Sequence, residues 1–403
     1  MRTTSIFRAR LQHLRRDERG MSFVFVSMGM MAFVSAAMLT IDVGQIMTAR
    51  TQAQRSADAG ALAGATALVF NDFNDRSASG PAKSSAVNTA RANLVIDQVP
   101  SVNPSDVNFI MNPETGREDI IEVTVYRNGA RGNPVLNFIG PIFGMDTADI
   151  SATARAAAIP AGSEICVLPL TVPDRWIEHQ TGPWDPEDTF DMYASQGQRQ
   201  NVGAPLVPPD EYVPPGSTTA TPTGYHPVRD KGMRLVLKNN NQNKVAPGMY
   251  NAWDLPGSTG GDDYRENITT CNPNLVTIGD TMTPENGNMV GPTADGVESL
   301  MLQDQGARWD DGCNCVVGSN PRFKVTPRIR ILPLYDPVLY TDGQHTGKSQ
   351  PELRVVNYLG IFIEQFNSGG EIIGRITPIT GRRTPGSGAP PVGAFAQAIM
   401  LVK

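Results

Sequence analysis

The chain has 403 residues, with 34 Lys and Arg against 40 Asp and Glu, 39 Gly, 32 Pro and four Cys. That length excludes a small stapled scaffold and suits two or three domains, each able to bury a core, while the Gly and Pro excess with 7% aromatics points to turn-rich β structure rather than disorder. The net charge of −6 hides an asymmetry: residues 1–19 carry six arginines against Asp17 and Glu18, so a basic tail precedes an acidic body. Such a tail is not a nucleic-acid signature. Arginines beside an apolar run are what stays on the cytoplasmic side of a membrane.

Residues 1–20 read as a basic cytoplasmic leader and residues 21–41, which contain no charge, as one transmembrane helix, long enough for a hydrocarbon core of about 30 Å. Arg10, Arg15, Arg16 and Arg19 lie on the near side and Asp42 marks the outer edge, so the N-terminus is expected inside and the rest outside. Three fates fit the segment. It is an uncut signal anchor, or a signal peptide cut after Val34-Ser35-Ala36, although Met38, Leu39 and Ile41 prolong the apolar run, or a prepilin-type leader cut after Gly20. The last would put Phe25 at the fifth mature position, where a classical pilin has Glu.

No proline interrupts residues 42–70, so the helix is expected to continue beyond the membrane. Val43, Ile46, Met47, Ala53, Ala57, Gly60, Ala61, Gly64 and Leu68 recur at three- and four-residue spacing, broken by Arg50. The small residues Ala57, Gly60, Ala61 and Gly64 permit close approach of another surface, whether this chain's own first outer domain or a partner's helix.

Arg16-Asp17-Glu18-Arg19-Gly20, the apolar helix, Asp42-Val43-Gly44 and Gln54-Arg55-Ser56-Ala57-Asp58-Ala59-Gly60-Ala61-Leu62-Ala63-Gly64-Ala65 follow in order. This arrangement resembles the TadG-like proteins of the Flp (tight adherence) pilus apparatus over about the first 65 residues. The resemblance implies a pilin-like or pseudopilin-like membrane protein of a bacterial envelope, and not an enzyme.

Residues 42–159 then read as an α+β domain of pilin-like plan. A helix is expected over residues 82–97, strands over 107–111 and 120–126 around the turn Asn112-Pro113-Glu114-Thr115-Gly116, a short helix over 135–143, and a strand from Ile150 towards Pro160. Asp149-Ile150-Ser151-Ala152-Thr153 comes near the Asp-x-Ser-x-Ser metal motif that some TadG-like proteins carry, but it follows Gly144-Met145-Asp146-Thr147 and precedes an Ala-rich strand, so no metal is expected there.

Residues 160–403 form the second outer region, predominantly β, with a Pro- and Gly-rich first part up to Pro227. Strands are expected over 233–237, 323–332, 353–365, 372–379 and 395–402, with Asn367-Ser368-Gly369-Gly370 as a hairpin turn and one helix over 294–305 capped by Thr293. The fold class is therefore α+β: a transmembrane helix running into a pilin-like α+β domain, then a β-rich domain.

Cys166, Cys271, Cys313 and Cys315 all lie beyond the membrane helix, where disulfides form, and two are expected. Ring strain disfavours Cys313 with Cys315, so each is expected to pair with Cys166 or Cys271, in either order. A lone Cys-x-Cys without a second pair or a His cluster is poor support for zinc. His13, His179, His226 and His345 are scattered and mark no nucleophile and base. Gly260-Gly261-Asp262-Asp263 and Asp310-Asp311-Gly312 lack EF-hand spacing and read as solvated turns.

No catalytic residue, cofactor or metal is expected. The expected partners are the lipid bilayer and other pilus, pseudopilin or envelope subunits, with no nucleic acid. The expected location is the bacterial inner membrane, single-pass, with the bulk of the chain in the periplasm or carried into a pilus or to the surface. The competing reading is an adhesin whose C-terminal domain binds an outside ligand.

Overall fold

The computed structural model describes residues 19–71, 75–197, 199–240, 243–285, 287, 289–367, 369–383 and 390–402. The leader up to residue 18, His13 and the Ser368 of the expected hairpin turn lie outside them. The chain divides into two compact units. One comprises Met1–Gly60, Val87–Val107 and Val123–Ala154, the other Ala61–Ala86, Asn108–Glu122 and Arg155–Lys403. The class is α+β: a long apolar N-terminal helix followed by a predominantly β C-terminal region.

Helix α1, Arg19–Phe70, is 52 residues long and spans about 78 Å at ~1.5 Å per residue. It is rich in alanine and free of proline, so nothing stops it where the apolar run ends. Over the apolar run almost every described side chain is exposed, Phe23, Phe25, Met30, Met31 and Phe33 among them. Ser27 and Thr40 donate their hydroxyls to the carbonyls of Phe23 (2.8 Å) and Ala36 (3.0 Å), satisfying their own polar groups inside the helix.

In the first unit α1 turns one face inward from Asp42: Ala49, Ala53, Ser56, Ala57 and Gly60 are buried. Ala49 and Ala53 pack with Val95, Val135 and Ile150. The Ser56 hydroxyl donates to the carbonyl of Ala90 (2.8 Å), in helix α2, Pro81–Ala92. Helix α2 stops at Ala92 rather than near residue 97, because Ile96 and Asp97 take left-handed backbone in a tight reversal bridging Val95 to Gln98. The Gln52 side chain accepts from Ile96 N–H (2.7 Å), and Arg131 clasps Asp106 through two nitrogens at 2.5 and 2.6 Å. The helix expected over 135–143 is not formed. Val135–Leu136 is a short strand paired with Thr147–Ala148, and a single 3-10 turn, Gly140–Phe143, follows.

In the second unit α1 ends with Ala61, Gly64, Ala65, Ala67 and Leu68 buried. A four-stranded sheet has the order β1-β2-β3-β11, with β1 at Val107–Asn112, β2 at Arg117–Arg127, β3 at Ile150–Pro160 and β11 at Gln397–Val402. Strand β11 lies antiparallel to β3, Gln397 opposite Pro160 and Val402 opposite Arg155, so the last described strand closes on residues some 240 positions earlier.

The larger sheet is closed. Its strands are β4 (Leu170–Pro173), β5 (Arg234–Asn239), β6 (Met249–Asp254), β8 (Ile329–Tyr335), β9 (Leu353–Phe366) and β10 (Ile372–Ile376), joined β9-β8-β4-β6-β5-β10 and back to β9. A seventh strand, β7 (Thr281–Pro284), pairs with both β9 and β6. Strand β9 is buried without a break from Val355 to Ile363, which explains its nearly continuous apolar sequence. A Cβ at Gly360 would fall 2.1 Å from the carbonyl oxygen of Thr377, so only glycine fits this crossing.

The strand expected from residue 323 begins at Ile329. Thr293 does not cap its helix: α4 runs from Val290 to Gln303, and the buried Thr293 hydroxyl lies 3.0 Å from that of Tyr264. Gly260-Gly261-Asp262-Asp263 is not a free turn but opens helix α3, Gly260–Thr269, whose first turn gains from those carboxylates. A further helix, α5, Pro337–His345, is capped by Asp336, which accepts from Val338 N–H (2.8 Å) and Leu339 N–H (3.1 Å).

The disulfide pairing is also corrected: Cys166 joins Cys271, and Cys313 joins Cys315. Cys166 N–H donates to the carbonyl of Asn272 (2.9 Å), which sets Cys271 alongside with Cα atoms 4.3 Å apart. Ring strain does not prevent the second bond, because Asn314 adopts φ 51° in the turn between Arg308–Asp310 and Cys315–Val317, leaving the flanking Cα atoms 5.2 Å apart.

Candidate functional site at the outer end of the apolar helix

Asp42 is the first acid after the apolar run, and the sequence marks it only as an edge. In the fold it is 5% exposed. Its carboxylate accepts from three successive backbone amides, Phe138 N–H (2.8 Å), Ile139 N–H (3.0 Å) and Gly140 N–H (2.7 Å). Burial works to raise its pKa, but the amides of Phe138, Gly140 and Ile139 together outweigh it and hold the group below the usual carboxylate range. Such a run of amides is a small anion-binding nest, here filled by the chain's own side chain. One turn further along the helix, the Gln45 side-chain amide donates to the carbonyl of Leu136 (3.1 Å). These contacts fasten residues 136–140 to the helix where its apolar run ends.

The small-residue positions divide between the two units. Ala57 and Gly60 are buried in the first, and Ala61 and Gly64 in the second. At Gly64 an added Cβ would lie 3.0 Å from Ile121 Cδ1, 3.2 Å from Ala86 Cβ and 3.3 Å from the carbonyl oxygen of Ala82, all in this chain. Val43 and Met47, read as part of the same stripe, are exposed instead, and the inward face runs through Asp42 and Ala49. Gly20 lies within α1, one residue after its start.

Several other polar groups are tied into the fold. Asp149 caps a turn by accepting from Gly129 N–H (2.8 Å). Asp174, fully buried, accepts from Tyr225 N–H (3.1 Å) and the Asn357 side-chain amide (3.1 Å), and burial pushes its pKa up to about 6. His179, His226 and His345 are exposed, and His345 stacks on Tyr193 at 3.8 Å. Arg234, Lys238 and Glu371 line an open cleft of ≈ 650 Å³, in which Lys238 and Glu371 pair at 2.7 Å. Among the described residues no group of three or more His, Cys, Asp or Glu is placed to hold a metal ion.

Among the described residues, one helix is long and apolar enough to cross a membrane, and it is α1, which is consistent with a single-pass anchor. Residues 20–67, almost the whole of that helix, match the family model described as putative Flp pilus-assembly TadE/G-like. The resemblance read from the sequence is thus found again over this segment, and it points to involvement in Flp pilus assembly. No curated protein and no solved structure matches the chain.

Proposed function

We propose that this protein is a membrane-anchored structural component of the Flp pilus-assembly machine, acting through protein contacts outside the cytoplasm. The supporting observation is one uninterrupted helix, Arg19–Phe70, that is apolar and exposed in its first half and built into folded units in its second. Exposed apolar side chains in water have no favourable partner, whereas in lipid they need none. The same helix then fixes the folded region at a short distance from the bilayer. Residues 21–41 span the inner membrane with the arginine-rich leader inside, and the bulk of the chain stands in the periplasm, where it meets other pilus or pseudopilin subunits.

The test is genetic and direct. Deleting the gene should abolish Flp pili. The full chain should restore them, and a version with residues 21–41 replaced by a cleaved signal peptide, which frees the outer region, should not. Normal pili in the deletion strain would refute the assembly role, and normal pili with lost surface attachment would favour the adhesin reading.

A further inference from the structure

From Gly132 to Met145 the chain carries no charged residue, and the run is bounded by Arg131 and Asp146. Within it Leu136, Phe138, Ile142 and Met145 are 69%, 72%, 73% and 55% exposed. Four large apolar side chains in one short loop is more than the scattered exposure of an ordinary surface, and such concentrations mark contact with another phase or molecule. The loop is nonetheless held firmly. Asn137 N–H donates to Asp146 O (3.0 Å), the Asn137 side-chain amide to Met145 O (2.9 Å), and Met145 N–H to Gly140 O (2.9 Å). A Cβ at Gly140 would lie 2.1 Å from Met145 O, so the closure needs glycine there. The apolar tip is a built feature.

Its position along the helix is what identifies its partner. The backbone amides of Phe138, Ile139 and Gly140 sit on the carboxylate of Asp42, one residue and about 1.5 Å of rise beyond the apolar run. If residues 21–41 lie in hydrocarbon, this loop must lie at the level where hydrocarbon gives way to headgroups.

We propose that residues 136–145 form a second membrane contact, with Phe138 and Ile142 inserted into the interfacial layer of the bilayer that α1 crosses. The inference rests on the reading of residues 21–41 as the anchor. The apolar surface of the loop is continuous in level with the exposed apolar surface of the helix, and lipid is the one partner already beside both. Asp42 acts as a positioning residue, tying the loop to the helix so that the folded region meets the membrane at two points and cannot swivel freely about a single stem.

The test uses the full chain in phosphatidylcholine vesicles, with an environment-sensitive NBD dye on single cysteines at Phe138→Cys, Ile142→Cys, Val99→Cys and Met31→Cys; the native cysteines are all in disulfides. The first two are expected to lose most of their emission to lipid carrying a nitroxide near the top of the acyl chain, and to resist iodide. Val99, exposed elsewhere in the same unit, should behave oppositely. Should Phe138 and Ile142 follow Val99 while Met31 is quenched by lipid, the loop proposal is overturned and the anchor stands. Resistance to both quenchers at Phe138 and Ile142 would mean that protein covers the tip, which also overturns it. Iodide quenching at Met31 would remove the anchor reading itself, and the loop proposal with it.

Discussion

Replacing Gly64 by leucine should destabilise the protein even though it improves the helix. Leucine is better than glycine in a helix interior by roughly 0.5 to 1 kcal/mol, so secondary structure alone predicts a gain. At Gly64, however, the first added carbon already meets Ile121 Cδ1 at 3.0 Å, Ala86 Cβ at 3.2 Å and Ala82 O at 3.3 Å. The Ile121 methyl can rotate aside, but the Ala82 carbonyl belongs to a helix and cannot. Three further carbons have no space, and overpacking of this kind costs about 1 to 3 kcal/mol. At mid-range the net loss is about 1 kcal/mol, a fall in Tm of roughly 2 to 4 °C. Gly44 is the internal control, because an added Cβ there has nothing within 4 Å, and Gly44→Ala should raise Tm slightly. Thermal unfolding of both full-length variants in detergent decides the matter. A Gly64→Leu protein as stable as the parent, or stabilised like Gly44→Ala, would show that the helix is not packed at Gly64 as described.

The remaining predictions concern the β-rich region. Mass spectrometry of unreduced peptides should find Cys166 linked to Cys271 and Cys313 linked to Cys315, and any cross-pairing would contradict the fold. Because the first bond joins residues 105 apart in sequence, removing it should cost about 2 to 5 kcal/mol, and removing the second, with its three-residue loop, much less. Glu164 is pushed up from 4.5 to about 8, first by burial, against the opposing pull of the Ile165 amide and Arg382. The folded state therefore holds a proton that the unfolded chain releases between those values, so this group's contribution is complete below pH 4.5 and lost as pH rises through 8. Glu164→Gln should flatten that part of the stability profile and be the more stable form at pH 8; an unchanged slope would count against the buried carboxyl.

Much of the fold was legible because its signals are local. An uncharged run after arginines, with no proline until residue 81, is enough for one long helix that continues past its apolar stretch. The turn at residues 112–116 and the apolar run of β9 with its hairpin partner announce themselves by turn chemistry and β-branched residues. Helices α3 and α5 were invisible because they are short, polar and glycine-containing, and tertiary packing overrides weak propensity there. The role of Asp42 could not be read either. Its partners are backbone amides some 96 to 98 residues away, and amides leave no mark in a sequence. The cysteine pairing failed for a related reason: whether a Cys-x-Cys ring closes depends on the left-handed Asn314 between them, a backbone state that residue type permits but does not dictate.

Protease added to intact spheroplasts tests whether one helix holds the chain in the membrane with its folded region outside. In that topology the region beyond Asp42 is digested while a small fragment containing the leader and residues 21–41 stays with the membrane. Full protection of the folded region until the spheroplasts are lysed, or release of the intact chain from washed membranes, would contradict it.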